Sequence, residues 1–420
     1  MDKFLLIFKD RELRKKILFV LGILVVFRIA AALPIPGVDP VRLKALFEGN
    51  QFLGLLNLFS GGALDNLSIV MLGVGPYITA SIIMQLMTMI FPRFKEMYQE
   101  EGEAGRKKFN QYSRLLTVPL ALIQGFSLLI LLKNQGIIGQ LNLINMTVSL
   151  AVITAGSIFL MWLGELISEY GIGNGISILI FAGIVSGMPI SIQQTFLSAG
   201  AAQIPLLLGL LVAGIAIIAG VVVISEGERP IPVSYAKRVR GMRVYGGVST
   251  HLPLRVNQAG VIPIIFALSI LLFPQMIVNF TAASSNQILR SISLVILGFI
   301  SSTLFYGVAY FILVFLFTYF YTSVTFDPEQ ISSNLQKQGA FVPGIRPGRP
   351  TADHLSKIVT RITLVGALFL GAIAVLPIGM QAATGFTALT IGGTSLLIVV
   401  SVVLETVKQV EAQLVMREYE

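Results

Sequence analysis

Residues 51–86 read QFLGLLNLFSGGALDNLSIVMLGVGPYITASIIMQL. A short apolar piece, Phe52 to Phe59, ends at Gly61-Gly62, and only beyond Asp65 and Asn66 does a long apolar run begin, near residues 70–91. That run is long enough to cross a bilayer, which takes about 20 residues. The piece before it is too short. Non-helical backbone at membrane depth is tolerated only where it is buried in protein or lines a wet cavity, so a re-entrant element folding into the protein is the preferred reading. An amphipathic helix lying on the outer lipid surface is the other.

Moving outward, runs of spanning length recur near 17–36, 115–132, 147–167, 176–195, 205–225, 259–279, 292–320, 358–377 and 386–404. With 70–91 they make ten, and each must be helical to satisfy its own backbone in lipid. Composition agrees: 55% of the 420 residues are hydrophobic and 12% charged, against roughly 25% charged in soluble domains. Lys15 and Lys16 precede a run ending in Ala30-Ala31-Ala32, which loosely fits a cleavable secretory signal. Arg28 interrupts that run and nine more follow, so the first helix is expected to be retained. No cysteine is present, which removes disulfides, thiol catalysis and Cys-ligated metals together.

The 30 Lys and Arg residues fix an expected orientation. Residues 1–16, the loops 92–114, 226–258 and 321–361, and the tail carry 25 of them. The opposite side holds Arg42, Lys44, Lys133 and Arg290. By the positive-inside rule the richer side is cytosolic, so both termini are expected in the cytosol. The net charge of +9 is then concentrated on one face, which attracts headgroups, RNA phosphate or acidic protein.

Two loops on that face have local order written into them. In GAFVPGIRPGRP (339–350), Pro343-Gly344 and Pro347-Gly348 each suit a turn with Pro second and Gly third, displaying Arg346 between them. In YAKRVRGMRVYGGVSTHLPLRV (235–256), alternation around Gly246-Gly247 predicts a hairpin carrying Lys237, Arg238, Arg240 and Arg243. Solvated charge runs are common, but two ordered basic projections on one face are expected to be a docking surface rather than disordered tails.

What is missing narrows the class further. Aspartate occurs only at 2, 10, 39, 65, 327 and 353, outside every run, and Glu165, Glu226 and Glu405 lie at or near run ends. An ion-coupled transporter needs an ionisable group at mid-membrane depth. Arg28 is the clearest intramembrane charge, read as snorkelling or as a structural hydrogen bond. No phosphate-binding GxxxxGK[ST] loop occurs, and His251 and His354 lie in loops with no HExxH or GxSxG. Gly171, Gly173 and Gly175 follow a helix instead of a strand and make a tight turn. A passive conduit remains, with a basic face on which an external motor could sit.

Along nearly its whole length the chain resembles the bacterial SecY family of protein-conducting channels. FSGGALDNLSIVMLGVGPYITASIIMQL and MWLGELISEYGIGNGISILIFAGI resemble the two family signatures, and STHLPLRVNQAGVIPIIFA, GAFVPGIRPGRPT and GGTSLLIVV follow in family order. The resemblance implies an all-α polytopic protein of ten transmembrane helices in two inverted pseudo-symmetric halves, 1–195 and 196–420, around an hourglass pore. It implies that the re-entrant element is a plug, about 55–67, with Leu55, Asn57, Phe59, Ser60, Gly61, Gly62, Asp65, Asn66 and Leu67. It also implies a pore ring of Val74, Ile78, Ile176, Ile180, Ile265 and Ile398, although position 74 is valine where the family often has isoleucine. Docking of motor or ribosome falls to Lys237, Arg238, Arg240, Arg243 and Arg346. A sideways exit lies between spans two and three and spans seven and eight. Expected partners are small SecE-like and SecG-like subunits, the SecA motor ATPase, the ribosome through its RNA, signal sequences, nascent chains and lipid. No cofactor, metal or catalytic residue is implied. The alternatives, a secondary transporter and an intramembrane hydrolase, lack their intramembrane ion site or nucleophile and base.

Overall fold

The computed structural model describes residues 10–35, 60–64, 67–134, 142–198, 204–235, 238–240, 243–245, 249–282, 302–384 and 388–418, with the single positions 291, 296 and 298. Each of the ten apolar runs overlaps a helix. The elements are α1 (Arg11–Ala32), α2 (Gly75–Ile90), α3 (Pro92–Gln99), α4 (Gly102–Asn134), α5 (Leu143–Tyr170), α6 (Gly175–Ser198), α7 (Ile204–Glu226), β1 (Glu228–Tyr235), β2 (Arg238–Arg240), β3 (Arg243–Tyr245) and β4 (Ser249–Arg255). They continue as α8 (Ile262–Ala282), α9 (Thr303–Thr325), α10 (Pro328–Lys337), β5 (Ala340–Phe341), α11 (Arg349–Thr384) and α12 (Ala388–Glu418). Among the described residues, Gly102–Lys133, Leu143–Tyr170, Thr303–Lys337 and Arg349–Met380 are each long and apolar enough to cross a membrane. The α2–α3 pair adds a fifth if counted as one bent span.

Local chemistry sets the helix ends. Asp10 caps α1 by accepting the Glu12 N–H at 2.9 Å. Phe91, directly before Pro92, is forced out of the helical region to φ −114°, ψ 115°, and the chain turns through 111° there. The short α3 then folds back, and Met97 packs with Met84 of α2 and Phe109 of α4. Between α5 and α6 the glycine run makes the expected tight turn. Asn174 caps α6 there, its Oδ1 accepting the N–H groups of Ile176 (3.1 Å) and Ser177 (3.3 Å).

The chain forms two compact units, one of Met1–Leu207, Leu268–Tyr306 and Pro377–Glu420, the other of Leu208–Ala267 and Gly307–Leu376. In the first, α4 packs on α2 and α5, α5 on α1 and α6, and α12 on α6. Its core includes Phe27, Leu129, Leu132, Ile153 and Leu160, each at most 2% exposed.

The second unit contains a sheet that the sequence reading did not anticipate, ordered β4-β1-β5. β1 runs antiparallel to β4 from Glu228 opposite Arg255 to Ser234 opposite Ser249, and meets β5 only at Ser234 and Tyr235. Pro230 faces Pro253 directly. Neither can donate, so this must be a non-hydrogen-bonded pair of the ladder. Ile231 and Leu254 are buried with Val342, Leu355, Ile358 and Val359, so both basic loops and the start of α11 share one small core.

The hairpin expected around Gly246-Gly247 is different in detail. β2 pairs with β3 in the register Arg238 to Tyr245 and Arg240 to Arg243, so the chain reverses before Gly246, while β1 and β4 form a wider antiparallel pair around it. Gly246, Gly247 and Lys237 lie outside the described residues.

Candidate functional site

Residues 60–64 and 67–74 are largely non-helical and sunk into the first unit. Ala63, Leu64 and Val70 have no exposed surface, and Leu67 and Met71 have 1%. Their backbone is satisfied from within. The Ile35 N–H donates to the Leu67 carbonyl (2.9 Å), Ile69 to Leu33 (3.0 Å) and Ser68 to Ala63 (3.0 Å). Ser60 Oγ accepts the Leu64 N–H at 3.1 Å, and Ser157 Oγ of α5 donates to the Gly73 carbonyl at 3.0 Å. Irregular backbone in an apolar setting survives on such internal pairing. Ser60, Gly61, Gly62 and Leu67 of the expected plug belong to this segment, whereas Leu55, Asn57, Phe59, Asp65 and Asn66 lie outside the described residues.

Arg28 meets this segment from α1. Its Nη1 donates to the Gly61 carbonyl at 3.1 Å, and Nη2 to the carbonyls of Ala182 (2.9 Å) and Gly183 (3.4 Å) on α6. The guanidinium carbon also stands 5.4 Å from the centre of the Phe27 ring. Of the two readings of Arg28, the structural hydrogen bond is the one realised. Its acceptors, 33, 154 and 155 positions away in sequence, carry no signal that sequence reasoning could use.

Five of the six ring candidates lie at or near helix starts, and Ile398 lies further along its helix. Val74 caps α2 and Ile78 lies one turn on, 1% and 5% exposed. Ile176 and Ile180 occupy the first turns of α6. Ile180 is buried, and the partly buried Ile176 meets α5 at Gly164. Ile398 is fully buried on α12, which packs on α6. Ile265, 6% exposed on α8, belongs to the second unit and is described there alone.

On the basic loops, both Pro-Gly turns form. Gly344 and Gly348 take φ of 83° and 95°, the left-handed position that the third residue of a type II turn requires. Arg346 between them is exposed. The loop beneath it is braced: Ser332 Oγ donates to the Gly348 carbonyl (2.6 Å) and Thr351 Oγ1 to the Arg346 carbonyl (2.8 Å). Arg238, Arg240 and Arg243 are placed by their backbone on the β2–β3 ribbon. Among the described residues, no cluster of His, Asp or Glu is arranged to hold a metal ion.

The SecY family pattern matches residues 68–407. The chain belongs to the SecY family. This SecY-family chain is 46% identical to the protein translocase subunit SecY of Mycobacterium bovis over 97% of its own length and 96% of the relative's. It is 43% identical to that of Corynebacterium glutamicum over 98% of both. Its fold resembles a solved protein-conducting channel with a TM-score of 0.63 at 19% identity, covering 94% of this chain and 91% of the other. It also resembles Sec61 in a canine ribosome–channel complex from the endoplasmic reticulum, with a TM-score of 0.59 at 19% identity and 94% and 91% coverage. The protein is thus an all-helical, polytopic membrane protein, its only strands confined, among the described residues, to the two basic loops.

Proposed function

We propose that this chain is the pore-forming subunit of a protein translocation channel, passing unfolded secretory chains across the bacterial inner membrane and releasing membrane segments sideways into lipid. The observation that carries this is the near-full-length identity with translocase subunits SecY, joined to a channel fold. The chain itself performs no covalent chemistry. Energy comes from a SecA-type motor or the translating ribosome, and small SecE-like and SecG-like subunits complete the channel. That a Sec61 relative of the same fold is seen in a ribosome complex favours the ribosome as one occupant of the basic face. Ten spans form two inverted halves, 1–195 and 196–420.

In this reading residues 55–67 are the plug, and Val74, Ile78, Ile176, Ile180, Ile265 and Ile398 form the constriction. An apolar ring blocks ions by dewetting yet gives a passing polypeptide no charge at which to stick. Lys237, Arg238, Arg240, Arg243 and Arg346 receive the motor or ribosome. The deciding experiment is reconstitution in vesicles with a SecE-like subunit and a motor ATPase. A secretory precursor should become protease-protected only when ATP is supplied, and protection without this chain sinks the assignment.

Orientation gives a second expected outcome. Residues 1–16, 92–114 and 405–420 face the cytosol, and 43–51 face outward. The chain has no natural cysteine, so single introduced cysteines report on each segment. A cysteine beside the exposed Lys107 on α4 should resist an impermeant thiol reagent in intact cells, while one at 43–51 should react. Labelling near Lys107 from outside overturns the scheme.

A further inference from the structure

We propose that Arg28 is a positioning residue of the resting channel: a latch that ties the Gly61 carbonyl to helix α6 and so sets how readily the plug leaves its seat. The proposal rests on the reading of residues 55–67 as the plug. It concerns a different residue, on a different element, and a different chemical step.

Three observations carry it. First, Arg28 lies inside the apolar run of α1, flanked by Val25, Val26 and Ile29, which are 59%, 43% and 59% exposed on the outer face of the helix. A guanidinium at such depth is stable only if its N–H groups find acceptors within the protein. Those it finds are three main-chain carbonyls, one from the plug segment and two from α6. Second, the contact has no slack. Gly61 adopts φ 67°, and a Cβ there would stand 2.6 Å from Phe27 Cζ and 3.1 Å from Gly183 Cα. A Cβ on Gly183 would in turn collide with the Gly61 backbone. Backbone therefore lies on backbone where the arginine reaches across, and close approach keeps the Gly61 carbonyl within its range. Third, the two ends of the latch differ in kind. Arg28, Ala182 and Gly183 belong to long helices packed into the first unit, whereas Gly61 sits in a turn next to Gly62, which has φ 80°.

The separation is therefore one-sided. When the plug leaves, the Nη1 bond to Gly61 is the one bond of Arg28 that must break, while the Nη2 bonds to α6 hold the guanidinium in place to recapture the carbonyl on return. A planar fork with several fixed donors suits this bridging. A lysine ammonium at the end of a flexible stem holds the charge without the fork.

The test uses the complete channel with its small membrane subunits in planar bilayers, reading ion conductance per channel with no substrate present. Arg28→Gln should raise the resting open fraction roughly tenfold, the equilibrium worth of one hydrogen bond to a charged group, and Arg28→Lys should fall between it and the parent. Gly183→Ala leaves every charge in place and should leak similarly by displacing Gly61. In a channel lacking residues 55–67, Arg28→Gln should add nothing, because its partner is gone. If the deletion itself leaks no ions, the plug reading fails. If the deletion leaks but Arg28→Gln and Gly183→Ala stay as tight as the parent, the latch fails alone. An equal increment from Arg28→Gln with and without the plug also overturns it. Should Arg28→Gln not assemble, Gly183→Ala decides, and parental tightness there overturns the latch.

Discussion

Arg346→Glu is expected to nearly abolish motor-driven translocation while leaving folding and subunit assembly untouched. The side chain is exposed, and substitutions at such sites usually change stability by no more than about 0.5 kcal/mol. Its carbonyl, not its guanidinium, is what Thr351 engages, so the loop keeps its brace. Once a partner covers the arginine the balance reverses. Charge inversion at a desolvated contact leaves both sides unpaired, which costs roughly 2–5 kcal/mol of binding. Changes at Lys237 or Arg243 should be milder, their charge being shared across a cluster. The measurement is translocation per assembled channel, with Lys337→Glu as control, an exposed residue at the end of α10 in the same loop. Equal activity in the two variants would reduce Arg346 to one charge in a diffuse basic field.

Polar substitution in the ring is expected to act in the opposite direction, opening what should stay shut. Ile398 is fully buried and Ile78 is 5% exposed, so Ile398→Asn or Ile78→Asn places an amide where no water reaches in the resting state. An amide buried without partners costs roughly 1–3 kcal/mol, a cost relieved when the constriction wets. That difference favours the hydrated, open form about five- to 150-fold. Cells carrying either variant should export precursors with defective signal sequences, and purified channels should leak ions. If neither happens, the constriction lies elsewhere.

Much of the architecture was legible because bilayer-spanning helices must be apolar along most of their length, and every apolar run overlaps a helix. The boundaries were less so. The run at 115–132 belongs to a helix that begins at Gly102, because Arg106, Lys107 and Lys108 are good helix formers even where no lipid demands a helix. The same holds for the polar end of α12, VKQVEAQLVMRE. The β4-β1-β5 sheet was hidden for another reason. Its two-residue strand β5 comes from a distant loop, and the prolines in ERPIPVSY argue against a strand until Pro230 is seen facing Pro253. For the candidate site, the turns at Pro343-Gly344 and Pro347-Gly348 could be read from residue chemistry alone. The partners of Arg28 could not, since nothing local marks Gly61 and Ala182 as its acceptors.

The brace beneath Arg346 makes the loop tip a short, stiff lever. Its carbonyl is held by the first turn of α11, Gly348 is held by Ser332 of α10, and Val342 is set in the same small core as Leu355, Ile358 and Val359. A partner pushing on the arginine therefore does not merely bend a loop. Torque applied there enters the base of a 36-residue helix, so a stroke made in water can be felt as a tilt along α11, with no chemical signal passing between.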